Sequence, residues 1–130
     1  MSVSDLAAWV ALALIPFAAI IAWFLRRWGS GAFSIRMRPH FVLGYIALAC
    51  ALLHMVLSMP AAPAANGDGI WFAGLATGGL GLQAFLGTNL QSPGIYRKPL
   101  RRWHTLLFWL CAVFVLLHVV LNAPFLPLSS

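Results

Sequence analysis

The chain has 130 residues, of which 62% are hydrophobic and only 8% charged, and its mean hydropathy is +0.92. A water-soluble domain carries about a quarter charged residues, so these values exclude a soluble globule and place the chain in lipid. The net charge of +6 and a pI near 10.8 would suit a nucleic-acid binder, but the basic residues are confined to two short loops and no nucleic-acid partner is expected.

The first apolar run, Leu6–Leu25, is long enough to cross a bilayer as a helix, which takes about 20 residues. The predicted helix covers about 6–27. It does not read as a cleaved signal, because Asp5 precedes it and Arg26 and Arg27 follow it, the reverse of a signal's charge order. Pro16 predicts a kink, and Trp9 and Trp28 fall near the two interfaces.

A polar loop, "RRWGSGAFSIRMRP", leads to Pro39, a good residue for a first helical turn. The second helix is predicted over about 39–59. After a Pro/Ala/Gly-rich connection, "MPAAPAANGDG", a glycine-rich third helix is predicted over about 70–90. Its "GLGLQA" (Gly79–Ala84) matches a dinucleotide fingerprint, but that motif needs a preceding strand and a water-facing turn, so it is set aside. Gly74, Gly78 and Gly81 share one face, for close helix packing or to make room for a flat ligand. Thr77 and Gln83 are polar within the span and are expected to hydrogen-bond between helices, or to a ligand. A loop with a Pro93-Gly94 turn precedes the fourth helix, predicted over about 101–122, and the tail "NAPFLPLSS" follows.

With no water in the bilayer core, each run must satisfy its own backbone, so helices are required. The expected fold class is all-α: a single transmembrane domain, residues 1–130, built as an integral membrane four-helix bundle. The first basic cluster is Arg26, Arg27, Arg36 and Arg38; the second is Arg97, Lys98, Arg101 and Arg102. Both acids, Asp5 and Asp68, fall on the opposite side. By the positive-inside rule the basic loops are cytoplasmic and both termini lie on the outer (periplasmic) side of the cell inner (plasma) membrane, in a multi-pass arrangement. Cys50 and Cys111 form neither a CxxC nor a CxxCH motif, so neither covalent haem attachment nor a zinc site is expected.

The chain's four histidines make two copies of one spacing. "HFVLGYIALACALLH" runs from His40 to His54 and "HTLLFWLCAVFVLLH" from His104 to His118. Fourteen steps at 100° return a side chain to within about 40° of its first direction and advance roughly 21 Å, most of the ~30 Å hydrocarbon thickness. The second and fourth helices both run outward from the cytoplasm. His40 is then level with His104, and His54 with His118.

An intramembrane ionisable residue is costly and marks function, and neutral imidazole is the commonest metal ligand. A haem iron takes two axial ligands, so the pairs predict two non-covalent b-type haems, each between one imidazole of each helix. The ligands are His40, His104, His54 and His118. Gly44, Ala47 and Ala51 leave space on the second helix, facing Phe108, Cys111 and Val115 on the fourth. Arg38, Arg101 and Arg102 flank the cytoplasmic pair as candidate partners for haem propionates. Ser58 and Asn66 are polar groups available at the outer one.

The stretch "LRRWHTLLFWLCAVFVLLH" resembles the ferric reductase-like transmembrane domain, a family that includes ferric reductases, NADPH oxidases and the haem-binding membrane subunit of a bacterial methionine sulfoxide reductase system. The likeness covers residues 36–120. It rests on His40/His54 and His104/His118 and on the "RRWH" lead-in, and it implies a dihaem conduit. Family members commonly have six helices and many carry a cytoplasmic flavin and NADPH domain, whereas four helices and no such domain are expected here. Other dihaem membrane families share the general pattern.

The expected function is therefore transmembrane electron transfer by a dihaem cytochrome b, as a subunit of a larger complex. Its expected partners are the lipid bilayer, other membrane or peripheral redox subunits, and a quinone for which Thr88, Asn89 and Gln91 form a polar patch. No catalytic acid, base or nucleophile is expected, so reductase activity would need a partner. The alternatives are a (bacterio)chlorophyll-binding subunit and a cofactor-free membrane anchor of a photosynthetic or respiratory complex.

Overall fold

A computed structural model describes residues 2–60, 65–91 and 96–122. It holds five helices: α1 (Val3–Trp28), α2 (Phe33–Arg36), α3 (Arg38–Ser58), α4 (Gly67–Asn89) and α5 (Arg97–Asn122). Among them α1, α3, α4 and α5 are long and apolar enough to cross a membrane, so the chain has the make-up of a multi-pass membrane protein. The predicted Pro93-Gly94 turn, part of the α3–α4 connection and the tail beyond Asn122 lie outside the described residues.

The long helices end within four residues of the predicted limits, and the extra turns have local causes. Ser2 and Asp5 form a capping box: the Ser2 hydroxyl accepts from the Asp5 N–H at 3.1 Å, and the Asp5 carboxylate accepts from the Ser2 N–H at 2.8 Å. This starts α1 three residues before the apolar run. Asn66 caps α4 by accepting from the Gly69 N–H at 3.2 Å. Pro39 sits in the first turn of α3, and α1 continues as one helix through Pro16.

The first basic loop contains α2, a single turn the composition did not announce. Arg36 Nη1 donates to the Gly29 carbonyl at 2.8 Å, and Gly29 has no room for a Cβ because the Arg36 stem lies against it. The Arg97 guanidinium sits 4.1 Å from the Phe33 ring centre, tying this loop to the start of α5.

The bundle is two close hairpins, α1 with α3 and α4 with α5, which meet chiefly along α3 and α4. Small residues allow the close approach. Ala7, Ala11, Ala18 and Ala22 make a buried stripe on α1, and Ala47 is buried on α3. On α4, Gly79 lies against Cys111 Sγ, where a Cβ would come within 2.5 Å, and Cys111 is buried. Phe72 and Phe114 stack across the same seam with ring centres 6.0 Å apart.

Large apolar side chains point outward instead. Trp9, Phe17, Trp23, Leu75, Phe85, Trp109 and Leu116 are all exposed, as expected where the surrounding solvent is hydrocarbon. Gly74, Gly78 and Gly81 have nothing within 4 Å of a Cβ position, so the packing role belongs to Gly69, Gly79 and Gly87. A shared face did not say which neighbour it met.

Between α1 and α5 the hairpins stay apart, leaving an apolar cleft of about 660 Å³ bounded by Ile15, Ala19, Trp109 and Ala112. The corresponding α3–α4 seam is closed and joined by a short connection. No chain segment links α1 directly to α5.

Candidate cofactor sites

The α1–α3 and α4–α5 hairpins bring the four histidines together as two facing couples. His40 and His104 have ring centres 6.1 Å apart with planes at 81°. His54 and His118 are 6.3 Å apart at 64°. All four rings are half-buried. Helices α3 and α5 are therefore parallel, and the couples lie at opposite ends of the bundle.

A second layer of groups aims the rings. His40 Nδ1 donates to the Ala18 carbonyl on α1 at 2.9 Å, and His118 Nδ1 to the Gly69 carbonyl on α4 at 2.9 Å. His54 Nδ1 has two acceptors on one residue, the Ser4 carbonyl at 3.1 Å and the Ser4 hydroxyl at 3.0 Å. The Gln83 backbone carbonyl lies beside the His104 ring, yet His104 Nδ1 is buried and makes no hydrogen bond within good geometry among the described residues. Wherever Nδ1 is held as a donor, Nε2 is left with a free lone pair, the form a metal-binding imidazole takes.

These acceptors also repeat. Ser4 and Ala18 on α1 are 14 residues apart, as are Gly69 and Gln83 on α4, matching the spacing of the histidines beside them, although the Gln83 carbonyl makes no hydrogen bond to His104 in good geometry. The second set follows the first at an offset of 65 residues for the carbonyls (Ser4 to Gly69, Ala18 to Gln83) and 64 for the histidines (His40 to His104, His54 to His118). Each half of the chain is thus an acceptor helix followed by a histidine helix, and the halves are related as parallel repeats. Only the histidine half of this repeat shows in the residue types. Backbone carbonyls carry no sequence signal.

The two ends differ. At the end of His40 and His104 a cavity of about 680 Å³ opens, within the range of roughly 300–1,000 Å³ usual for small-molecule sites. Gly44, Ala47, Gly87 and Phe108 line it, and nothing lies within 4 Å of a Cβ position on Gly44. The basic residues on its wall are Arg26, Arg36, Arg97, Lys98 and Arg101. Of the three arginines singled out in the sequence, Arg101 lines the cavity, while Arg38 and Arg102 are exposed and not among its lining residues. Nearness to histidine along the chain favoured those two; helix geometry brings in Arg26, Arg36, Arg97 and Lys98.

The Gln83 side chain also borders this cavity, and its amide oxygen is buried without a partner. It makes none of the expected interhelical hydrogen bonds among the described residues, and a buried orphan acceptor marks a place for a bound polar group or water.

At the other end Asn122 acts as a clasp. Its amide oxygen accepts from the Asn66 N–H at 3.0 Å and its amide nitrogen donates to the His118 carbonyl at 3.2 Å, fixing the end of α5 to the start of α4. Ser58 bonds back to the His54 carbonyl at 2.7 Å. Asp5 and Asp68, the chain's only acids, are at this end, Asp5 directly after the acceptor Ser4 and Asp68 directly before the acceptor Gly69.

The polar patch at the basic end is largely committed to its own helix. Thr88 donates to the Ala84 carbonyl and meets the Tyr45 hydroxyl, Asn89 donates to the Phe85 carbonyl, and Gln91 is exposed.

Among the described residues no group of three or more His, Cys, Asp or Glu side chains could hold a metal ion. The histidines come in pairs, one ring from α3 and one from α5 in each. Compared with protein-family models, curated proteins and solved structures, the chain shows no match.

Proposed function

We propose that this chain is a dihaem b-type membrane cytochrome that carries electrons across the bilayer as part of a larger redox complex. The observation that carries the reading is the separation of the facing imidazoles. A metal about 2 Å from a nitrogen of each ring sets the ring centres about 6 Å apart, and the two couples stand at 6.1 and 6.3 Å. His40 with His104, and His54 with His118, would hold such a metal, and a porphyrin would supply iron for one-electron chemistry.

In this reading His40 and His104 hold one haem, and His54 and His118 the other. The carbonyls of Ala18, Ser4 and Gly69 fix the tautomer and orientation of three of the four rings. Arg26, Arg36, Arg97, Lys98 and Arg101 surround the first site with charge suited to propionates, and Gly44 keeps its wall open. Bound haem supplies one-electron chemistry; the protein holds it apart from water. The positive-inside rule puts the basic end in the cytoplasm and the acidic end outside. In this reading substrate chemistry belongs to partners, and a quinone or a further redox subunit takes the electrons.

The protein purified in detergent should show sharp dithionite-sensitive haem bands and two haems per chain by pyridine haemochrome. A redox-insensitive red band would indicate a chlorin instead. Colourless, iron-free protein would indicate a membrane anchor.

A further inference from the structure

We infer that the residues around the two couples make the basic-end site the stronger electron acceptor, so that the step between the sites runs from the acidic end to the basic end. The inference rests on the proposed haem occupancy. Two independent asymmetries point the same way.

The first is fixed charge. All eight Lys and Arg residues belong to the two basic clusters, and five of them line the cavity of His40 and His104. Both carboxylates, Asp5 and Asp68, belong to the other end. A metal site that loses one positive charge on reduction is easier to reduce beside cations and harder beside anions, and the exposed carboxylates act more weakly than the cations lining the cavity because water screens them.

The second is the hydrogen bonding of the ligands. An acceptor on Nδ1–H raises the basicity of the imidazole and so favours the oxidised metal. At the acidic end both rings have acceptors, and His54 has two, the carbonyl and hydroxyl of Ser4. At the basic end His40 has one and His104 Nδ1 has none in good geometry.

If both sites held haem, each would supply one-electron chemistry, and the residues around the two couples would set which is the easier to reduce, with no proton needed. Ser4 is thus a positioning residue with an electronic effect, and the cavity cations are its counterparts.

The test is an anaerobic potentiometric titration of the full-length haem-loaded protein in nanodiscs, followed in the haem absorption bands. Two one-electron waves are expected, separated by at least a tenfold preference in electron sharing, about 59 mV. Ser4→Ala should raise the lower wave and leave the upper in place, with Ser4→Thr restoring it. Arg26→Gln and Arg101→Gln should each lower the upper wave alone. Coincident waves, a Ser4→Ala shift confined to the upper wave, or an arginine effect confined to the lower one would each overturn the inference while leaving the haem assignment standing. Wild-type protein without any haem spectrum would overturn the proposed function and this inference with it.

Discussion

Gly69 accepts a hydrogen bond from His118 Nδ1 at 2.9 Å, and the same glycine has no room for a Cβ because the Asn122 amide fills that place. One residue at the start of α4 therefore both orients the His118 ring and receives the clasp at the end of α5. Gly69→Ala should displace Asn122 and cost about 1–3 kcal/mol, as overpacking does. Thermal unfolding in detergent should show the loss. Asn122→Ala in the same chain should recover part of it, because the two changes share one contact.

The pairing of the rings predicts a pattern of loss. His54→Ala and His118→Ala should each remove the same haem, leaving about one of two, and His40→Ala and His104→Ala should each remove the other. Haem content and the low-temperature spectrum distinguish the two classes. If His54→Ala and His104→Ala depleted the same spectral species, parallel α3 and α5 would be the wrong arrangement.

Gly44 permits a test of the cavity without touching a ligand. Nothing stands within 4 Å of its Cβ position, so Gly44→Phe should fold while filling the space beside His40. The basic-end haem should be lost and the acidic-end haem retained, with helicity by circular dichroism unchanged.

The α4–α5 seam depends on Gly79. Because a Cβ there would come within 2.5 Å of Cys111 Sγ, Gly79→Val should lower the midpoint of thermal unfolding, again by about 1–3 kcal/mol of stability. Gly74→Val, with open space at the same test, should have little effect. Equal losses at the two positions would contradict the close approach.

Membrane orientation has a direct assay. Lys98→Cys, with Cys50 and Cys111 changed to Ala, should react with an impermeant maleimide in inside-out vesicles and resist it in intact cells. Labelling from outside would reverse the proposed topology and, with it, which side each histidine couple is nearer.

Much of the bundle was legible in the residues. Four apolar runs each had to become a helix because a lone segment in hydrocarbon satisfies its backbone in no other way. A 14-residue spacing on a 100° helix puts both histidines of a pair on one stripe, so His40/His54 and His104/His118 were recognisable as a unit. The glycines of α4 were less legible. The shared face of Gly74, Gly78 and Gly81 pointed to the packing side, but the path of α5 makes Gly79 the contact and leaves Gly74 open.

The sequence by itself determined the four membrane-length apolar helices, the segregation of charge and the duplicated histidine stripe, because each follows from side-chain type and local periodicity. Tertiary structure alone decided that the rings face one another at 6.1 and 6.3 Å, that Ser4, Ala18 and Gly69 hold them, and that Arg26, Arg36, Arg97 and Lys98 line the cavity in place of Arg38 and Arg102. The physical reason is that a backbone carbonyl is the same group at every residue. Which carbonyl meets an imidazole depends on how two helices pack, and that is set by the alanine stripe of α1 and the Gly79–Cys111 contact of α4 with α5.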